Sequence, residues 1–276
     1  MRIQYLGTGA AEGIPALYCH CRVCQKAREL KGREIRTRAQ TLIDGRLLLD
    51  FGPDTYMHTL QYDIELADIY HCLITHTHDD HLYVDDLRAR RRSRANLRTG
   101  TPVLNVYGSS GVEKQLKPDQ DGFITKDKSI RFKRLNAGNR YEIDGFEVYP
   151  FNAVHGSVEP FIYVIISKGK TMLYGHDTDF FSEETWKSMR DIGIHFDVLS
   201  LDCTEGNKHI EYPGHMNFER MINMCERMKK EKMINYNTKI ISNHISHNGL
   251  VTYNEAVNIG NKYGFIIAYD GMEVNI

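Results

Sequence analysis

The stretch His76-Thr77-His78-Asp79-Asp80-His81 places three histidines and two aspartates in six residues, directly after a short apolar run. In an extended segment His76 and His78 project to the same side, so both imidazoles can reach one metal ion. Asp80 and His81 follow where a helix is predicted to begin, and they can turn toward a second ion. Imidazole and carboxylate suit Zn, Mn or Fe, and such a site needs no thiolate. The alternative is a polar loop of solvated histidines, which so dense a set of ligands disfavours.

Outside this motif the chain alternates between short β-type runs and turns, and helical periodicity is interleaved later. The dipeptide Asp44-Gly45 predicts a tight hairpin between two strands. Strands are predicted at Arg2–Leu6, Thr41–Asp44, Leu47–Phe51, Tyr70–Thr75, Val103–Tyr107, Phe146–Phe151, Phe161–Ile166, Met172–Tyr174, Asp197–Leu201, Lys239–Ser242 and Phe265–Tyr269. Helices are predicted at Val84–Asn96, Glu183–Arg190, Phe218–Lys232 and Tyr253–Tyr263. This order predicts a sheet-on-sheet core with helices outside it.

Several apolar runs end abruptly in loops that carry His or Asp. The run at 73–75 leads into His76, the run at 173–175 into Asp177, and the run at 240–242 into His244. Sheet proteins build their sites from rigid strands that deliver polar side chains to one rim. The pattern therefore predicts a site at one edge of the sheets.

The composition is that of an ordinary globular protein, with 276 residues of which 41% are hydrophobic and 26% charged. Thirty-five basic residues against 36 acidic ones give a formal charge of −1, so bulk charge indicates no particular partner. No run approaches the roughly 18 apolar residues of a membrane span, and the N-terminal residues lack the apolar core of a signal peptide. We expect one domain over residues 1–276, cytoplasmic and without a membrane partner.

Three of the six cysteines, Cys19, Cys21 and Cys24, lie within six residues. Secreted scaffolds spread their cysteines through a short chain, whereas clustered cysteines in a cytosolic-type chain more often bind metal. The alternative is a set of reduced thiols without a ligand. The other cysteines lie in apolar or helical surroundings and are expected to be core residues. Four histidines have no partner in the sequence and are expected to be structural, namely His58, His71, His195 and His209.

The His-x-His-x-Asp-His string resembles the signature of the metallo-β-lactamase superfamily. That resemblance implies an α+β fold, a four-layer αββα sandwich with metal ions at its rim. It also implies that Asp50, in Leu48-Leu49-Asp50-Phe51-Gly52, orients the metal-binding loop. Three further ligands are implied downstream, in the right order: His155, Asp177 and His244.

The resemblance further implies two catalytic divalent ions, Mn or Zn. His76, His78 and His155 then hold one ion, Asp80, His81 and His244 hold the other, and Asp177 lies between them. A hydroxide that bridges the ions attacks phosphorus in line, and the ions neutralise charge on the phosphate oxygens. Asp80 and His215 are the candidate catalytic residues.

The N-terminal segment is similar to the PhnP family of phosphodiesterases, which accompany carbon–phosphorus lyase and cleave a ribosyl 1,2-cyclic phosphate. The similarity rests on Gly7-Thr8-Gly9, Gly13-Ile14-Pro15 and Cys19-His20-Cys21-Arg22-Val23-Cys24, and extends over nearly the whole chain. It implies that Cys19, Cys21 and Cys24 join His247 in a closed structural Zn site. It also implies an active-site role for His215, in Pro213-Gly214-His215-Met216-Asn217, holding phosphate or protonating the leaving group. The alternative for His215 is an exposed histidine at the start of a helix.

Two features lie outside these resemblances. The segment Arg88–Arg98 has six arginines in eleven residues. It is either a solvated helix face or part of a substrate entrance. His176 stands where a serine or glycine is expected, and it either supports the site or narrows it.

The interpretation favoured by the sequence is a hydrolase of a small phosphodiester. An RNA-processing nuclease and a thioester or lactone hydrolase of the same fold are the first alternatives. Binding of nucleic acid is not favoured, because no aromatic residues are interleaved with the arginines. A non-catalytic metal-binding module is the second alternative, and a complete ligand set disfavours it. Assembly as a homodimer is left open.

Overall fold

The computed structural model describes residues 1–117, 128–210 and 213–276, and its strands form two seven-stranded sheets. The first sheet contains β1 (Arg2–Gly7), β2 (Gln40–Ile43), β3 (Leu47–Leu49), β4 (His71–Leu73), β5 (Leu104–Gly108), β6 (Ile130–Arg134) and β14 (Glu273–Asn275). The second contains β7 (Tyr141–Ile143), β8 (Phe146–Asn152), β9 (Phe161–Ser167), β10 (Lys170–Gly175), β11 (Val198–Asp202), β12 (Lys239–Asn243) and β13 (Phe265–Ile267). The strand orders are β14-β1-β2-β3-β4-β5-β6 and β13-β12-β11-β10-β9-β8-β7.

The two sheets face each other across a shared apolar layer. Successive residues of a strand point to opposite faces, and β9 shows the consequence. Its Phe161, Tyr163 and Ile165 enter the layer between the sheets, while Ile162 and Val164 pack on the other side. Because both of its faces are buried, β9 is apolar throughout most of its length.

Helices cover both outer faces. They are α1 (Arg22–Leu30), α2 (Thr55–Gln61), α3 (Val84–Leu87), α4 (Ser110–Leu116), α5 (Glu183–Ile192), α6 (Phe218–Lys230) and α7 (Tyr253–Tyr263). Buried residues of α1, α5, α6 and α7 pack on the second sheet, and those of α3 and α4 pack on the first. The predicted four-layer αββα sandwich is therefore confirmed. Among the residues described, no helix has the length and apolarity needed to cross a membrane.

Strand direction decides where the loops meet. Strands β3 to β6 are parallel, and so are β10 to β13. Since β9 is antiparallel to both β8 and β10, β8 runs in the same direction as β10. The carboxyl ends of β8, β10, β11 and β12 consequently lie at one edge of the second sheet.

Each predicted strand is present, with ends that differ by one or two residues from the prediction. At the predicted hairpin, Asp44 and Gly45 have φ of 49° and 68°, which is the left-handed backbone that a tight turn requires. The helix predicted at Val84–Asn96 is wrong beyond its first turn. Only Val84–Leu87 is α-helical, and a 3-10 turn follows at Arg88–Arg90. Apolar residues spaced for burial last for a single turn there, so no apolar face extends the helix.

Candidate metal centre

The site is built from loops that follow strands of both sheets. The loop after β4 carries residues 76–81, and the loops after β8, β10 and β12 carry His155, Asp177 and His244. Asp177 and His244 have φ of 47° and 56°, in the left-handed region that non-glycine residues seldom adopt. Backbone strain of this kind clusters at functional sites.

Three of the predicted residues, His76, His78 and His155, form one group. Their ligand atoms lie within 4.8 Å of one another. His76 Nε2 is 2.9 Å from His78 Nδ1, and His155 Nε2 is 3.2 Å from the same atom. The two sheets thus bring together the same three imidazoles that the sequence predicts for one ion.

A second group contains Asp80, His81 and His244. Asp177 lies between the two groups: its Oδ2 is 2.8 Å from His81 Nε2 and 2.9 Å from His244 Nε2. Its Oδ1 is 3.6 Å from His155 Nε2. One carboxylate therefore faces both groups, as a bridging ligand must.

The buried atoms of this cluster fit a divalent cation. Asp177 Oδ2 lies 2.8 Å from His81 Nε2 and 2.9 Å from His244 Nε2, yet none of these three buried atoms has a well-aligned hydrogen-bond partner. Buried polar atoms without partners cost free energy. Atoms that lie close together without a hydrogen bond between them are those expected to converge on a common ion. Imidazole nitrogen and carboxylate oxygen are suitable donors for Zn or Mn.

The protonation states of Asp177 and His76 are those of metal ligands. Burial alone would raise the pKa of Asp177, but His244 and His81 hold it well below its usual range, so the group stays a carboxylate. Burial lowers the pKa of His76 well below its usual range, which leaves the neutral imidazole that binds metals. Burial alone would lower the pKa of His81, but Asp80 and other nearby carboxylates raise it well above its usual value. Negative charge therefore dominates in the second group.

Asp50 orients His81, in agreement with its predicted role. His81 Nδ1 lies 2.8 Å from Asp50 Oδ2, and Thr75 donates two hydrogen bonds, of 2.8 and 2.9 Å, to Asp50 Oδ1. When Nδ1 of a histidine is used in this way, Nε2 is left for a metal.

Asp202, at the end of β11, is a residue that the sequence pattern does not single out. It is fully buried and accepts hydrogen bonds from the backbone of Asp177, Thr204 and Met216 at 2.8–3.1 Å. Its Oδ2 is also 3.1 Å from His215 Nδ1. A signal was present in the sequence, because the apolar run of β11 ends in Asp202, much as the run of β10 leads into Asp177. The predicted strand, however, stopped at Leu201.

His215 lies beside this carboxylate at the mouth of the site. Its side chain is 28% exposed, and its Nδ1 is 3.8 Å from Asp177 Oδ1. Burial alone would lower its pKa, but Asp202 outweighs burial and raises the pKa to about 9. The raised pKa favours the protonated imidazole of His215 at neutral pH.

The cysteine cluster forms a separate group with His247. The four ligand atoms of Cys19, Cys21, Cys24 and His247 lie within 4.8 Å of one another. The Sγ atoms of Cys19 and Cys21 are 3.5 and 3.6 Å from His247 Nδ1, and none of the three cysteines forms a disulfide. Three thiols and one imidazole make a donor set that fits Zn.

His176 and the arginine run lie outside the ligand groups found among the described residues. His176 is buried, with Nε2 2.8 Å from Ser200 Oγ, and its ring packs 4.0 Å from that of Tyr174. Arg90 donates to the carbonyls of Ser129 and Pro102, so part of the run serves the fold. The interpretation of the run as a helix face is wrong, since this segment is not helical beyond its first residues.

The chain is similar to a known protein family and to a solved structure. The family described as "Beta-lactamase superfamily domain" matches residues 45–236. A crystal structure of a diphosphatase from the PhnP family superposes with a TM-score of 0.77, covers all of this chain and 97% of that one, and is 24% identical. At this identity the match shows the fold.

Two curated proteins are similar over parts of their length. Ribonuclease Z from Staphylococcus carnosus is 26% identical over 157 residues, which are 56% of this chain and 46% of that protein. An octanoyltransferase from Porphyromonas gingivalis is 37% identical over 91 residues, which are 32% of this chain and 18% of that protein. The chain thus matches less than half the length of each.

Proposed function

Because the chain belongs to the β-lactamase superfamily and is a metal-dependent hydrolase, we propose that it cleaves a small phosphodiester at a centre of two divalent metal ions. The observation that carries the proposal is the position of Asp177. Its Oδ2 faces His81 and His244 at 2.8 and 2.9 Å, and its Oδ1 faces His155 at 3.6 Å, so the carboxylate lies between the two sets of donors. A site for a single ion would need only one of these two carboxylate oxygens.

The first ion would be held by His76, His78 and His155, the second by Asp80, His81 and His244, with Asp177 shared. When bound, two such ions polarise the phosphoryl oxygens and lower the pKa of water. Asp50 keeps His81 in the tautomer that presents Nε2. Mn or Zn matches the donor set.

His215 would act on the substrate rather than on an ion. Asp202 accepts a hydrogen bond from Nδ1 of His215 and stabilises the protonated imidazole. Nε2 is then left as a donor toward the phosphate. From there a proton can pass to the leaving oxygen when the phosphorus–oxygen bond breaks. Asp202 is a positioning residue in this scheme, because it acts through His215 and the backbone of Asp177.

The group of Cys19, Cys21, Cys24 and His247 would hold one structural Zn. Four protein donors close the coordination sphere and leave no position for substrate. A ribonuclease Z and a PhnP-family diphosphatase among the similar proteins favour a substrate that is cleaved at phosphorus over a thioester or lactone.

The test is a screen of metal-stripped protein that is reloaded with Mn, Zn or Ni. Linear and cyclic phosphodiesters are compared with a structured RNA, an octanoyl thioester and a lactone. We expect turnover of a phosphodiester and none without metal. Faster cleavage of the RNA would identify a nuclease, and turnover confined to the thioester would replace the proposal. Protein that binds two ions and turns over no member of the panel would favour the non-catalytic module.

A further inference from the structure

The loop that carries His155 is held by the opposite sheet. His155 belongs to the connection between β8 and β9 in the second sheet, whereas His76 and His78 follow β4 in the first. The spacing of these three imidazoles therefore depends on how the two sheet edges are fixed to each other. That connection lies against the residues that start α4, directly after β5 of the first sheet.

Three contacts join the two edges. Ser109 Oγ donates to the carbonyl of Val158 at 3.3 Å. The backbone N–H of Ser110 donates to Glu159 Oε2 at 3.1 Å, and the Ser110 hydroxyl donates to the same oxygen. Glu159 has φ of 48°, so the loop adopts a left-handed backbone at the residue that makes these bonds.

Gly111 allows the two backbones to approach. A Cβ atom on this buried glycine would lie 2.6 Å from the carbonyl oxygen of Val158. The obstacle is backbone and cannot rotate away, so any side chain at position 111 must displace the loop. Alanine is normally favoured over glycine in a helix by about 0.5–1 kcal/mol, so helix formation does not explain a glycine in α4.

The same loop also contacts the metal-binding segments. Thr77 Oγ1 lies 3.0 Å from Ser157 Oγ, and His155 Nδ1 lies 3.0 Å from the carbonyl oxygen of Gly214. Val158 is only three residues from His155, so we expect a displacement of the loop at Val158 to move His155 as well.

We propose that Ser109, Ser110, Gly111, Val158 and Glu159 form an inter-sheet clamp that positions His155 against His76 and His78 and so sets the affinity for the first ion. The inference rests on the proposed two-ion function. Gly111 and Glu159 are positioning residues, because neither belongs to a ligand group.

The main test is Gly111→Ala, with Gly156→Ala as its matched control. Gly156 is next to His155, yet a Cβ there would meet no atom within 4 Å. Metal-stripped proteins are titrated with Mn²⁺, and the spin-coupled signal of a paired Mn centre is followed by electron paramagnetic resonance. In Gly111→Ala we expect one ion to bind about 10- to 100-fold more weakly and the coupled signal to be lost at low Mn²⁺, as for other changes behind a ligand. Gly156→Ala should match the unmodified protein.

A second pair of variants, with smaller structural effects, provides the test if Gly111→Ala does not fold. Glu159→Ala removes the acceptor for Ser110, whereas Glu159→Gln keeps one. We expect weaker binding of one Mn²⁺ in Glu159→Ala and recovery in Glu159→Gln, with Zn in the cysteine group unchanged in both.

The outcomes separate the two ideas. An unmodified protein that binds fewer than two Mn²⁺ outside the cysteine group would overturn the proposed function. An unmodified protein with a coupled pair, together with folded Gly111→Ala and Glu159→Ala variants that bind Mn²⁺ equally well, would overturn the clamp alone.

Discussion

Asp177 shows at the scale of one residue what the sequence can and cannot tell. Its role as a candidate ligand could be predicted, because an apolar run ended in an Asp in the order that the family implies. Its left-handed backbone and the direction of its two oxygens could not, since they depend on both sheets. The same limit applied to Asp202, whose carboxylate makes five hydrogen bonds with four residues that the fold brings around it.

Asp177→Ala should abolish turnover and release both catalytic ions, because the carboxylate faces both groups. The fold should survive, since the residue lies in a loop at the rim of the sheets. Metal content per chain and the melting temperature in chelator check this. The proposed role is wrong if the variant keeps two ions and near-normal turnover.

His215→Ala should lower turnover by about 100-fold or more while both ions stay bound, because His215 is assigned a proton-transfer role and not a metal-binding one. The loss should be smaller for a nitrophenyl ester than for an alkyl ester, since nitrophenolate leaves without a proton. An equal loss for both esters would favour phosphate binding alone, and loss of an ion would make His215 a ligand.

At the scale of elements, long apolar strands could be predicted and short helices could not. The strands β8 to β12 carry buried runs that are visible in sequence. Helix α1 buries Val23, Cys24 and Ala27, and α2 buries Thr55 and His58, so their inner faces offer few apolar residues to recognise. Tertiary contacts, including the ligand cluster beside α1, hold such elements in place.

Helix α2 is tied to β2 by His58, which makes the free energy of unfolding depend on pH. His58 Nδ1 is 2.6 Å from Gln40 Oε1, and burial lowers the His58 pKa from 6.5 to about 4. The unfolded chain therefore binds more protons between these values, so this contribution is complete above pH 6.5 and is lost as pH falls toward 4. The loss is at most about 3 kcal/mol.

His58→Gln should flatten this dependence. Urea unfolding at pH 5 and pH 7 measures it, and the difference between variant and unmodified protein separates His58 from other titrating groups. A variant whose free energy of unfolding falls as steeply between pH 7 and pH 5 would show that His58 is protonated without cost in the folded state.

At the scale of the whole molecule, the candidate centre exists because loops from the two sheets meet at one side of the sandwich. The first sheet supplies His76 to His81, the second supplies His155, Asp177, Asp202 and His244, and the segment 244–247 then continues to the cysteine group. Apart from Asp202, the members of these groups were predicted from the ligand-rich motif and the family resemblance. It could not predict the clamp at Gly111, because a glycine in sequence carries no sign of which backbone approaches it.

Cys24→Ser tests whether the cysteine group supports the whole molecule or takes part in catalysis. If Cys19, Cys21, Cys24 and His247 enclose Zn, the ion ties the N-terminal loop to the segment that also carries His244, and purified protein should hold about three metals per chain. Cys24 is buried, and its Sγ accepts from the backbone of Ala16, so a serine there leaves an incomplete site.

We expect the variant to lose one equivalent of Zn and to melt at a lower temperature. Activity should fall through looser placement of His244, and added Mn should restore it only in part. Melting temperature, Zn content and Mn-supplemented activity are measured on one preparation. A variant that is stable but inactive, with catalytic metal lost, would assign the cysteines to the catalytic centre. One that keeps its stability and all of its Zn would show that these thiols hold no metal.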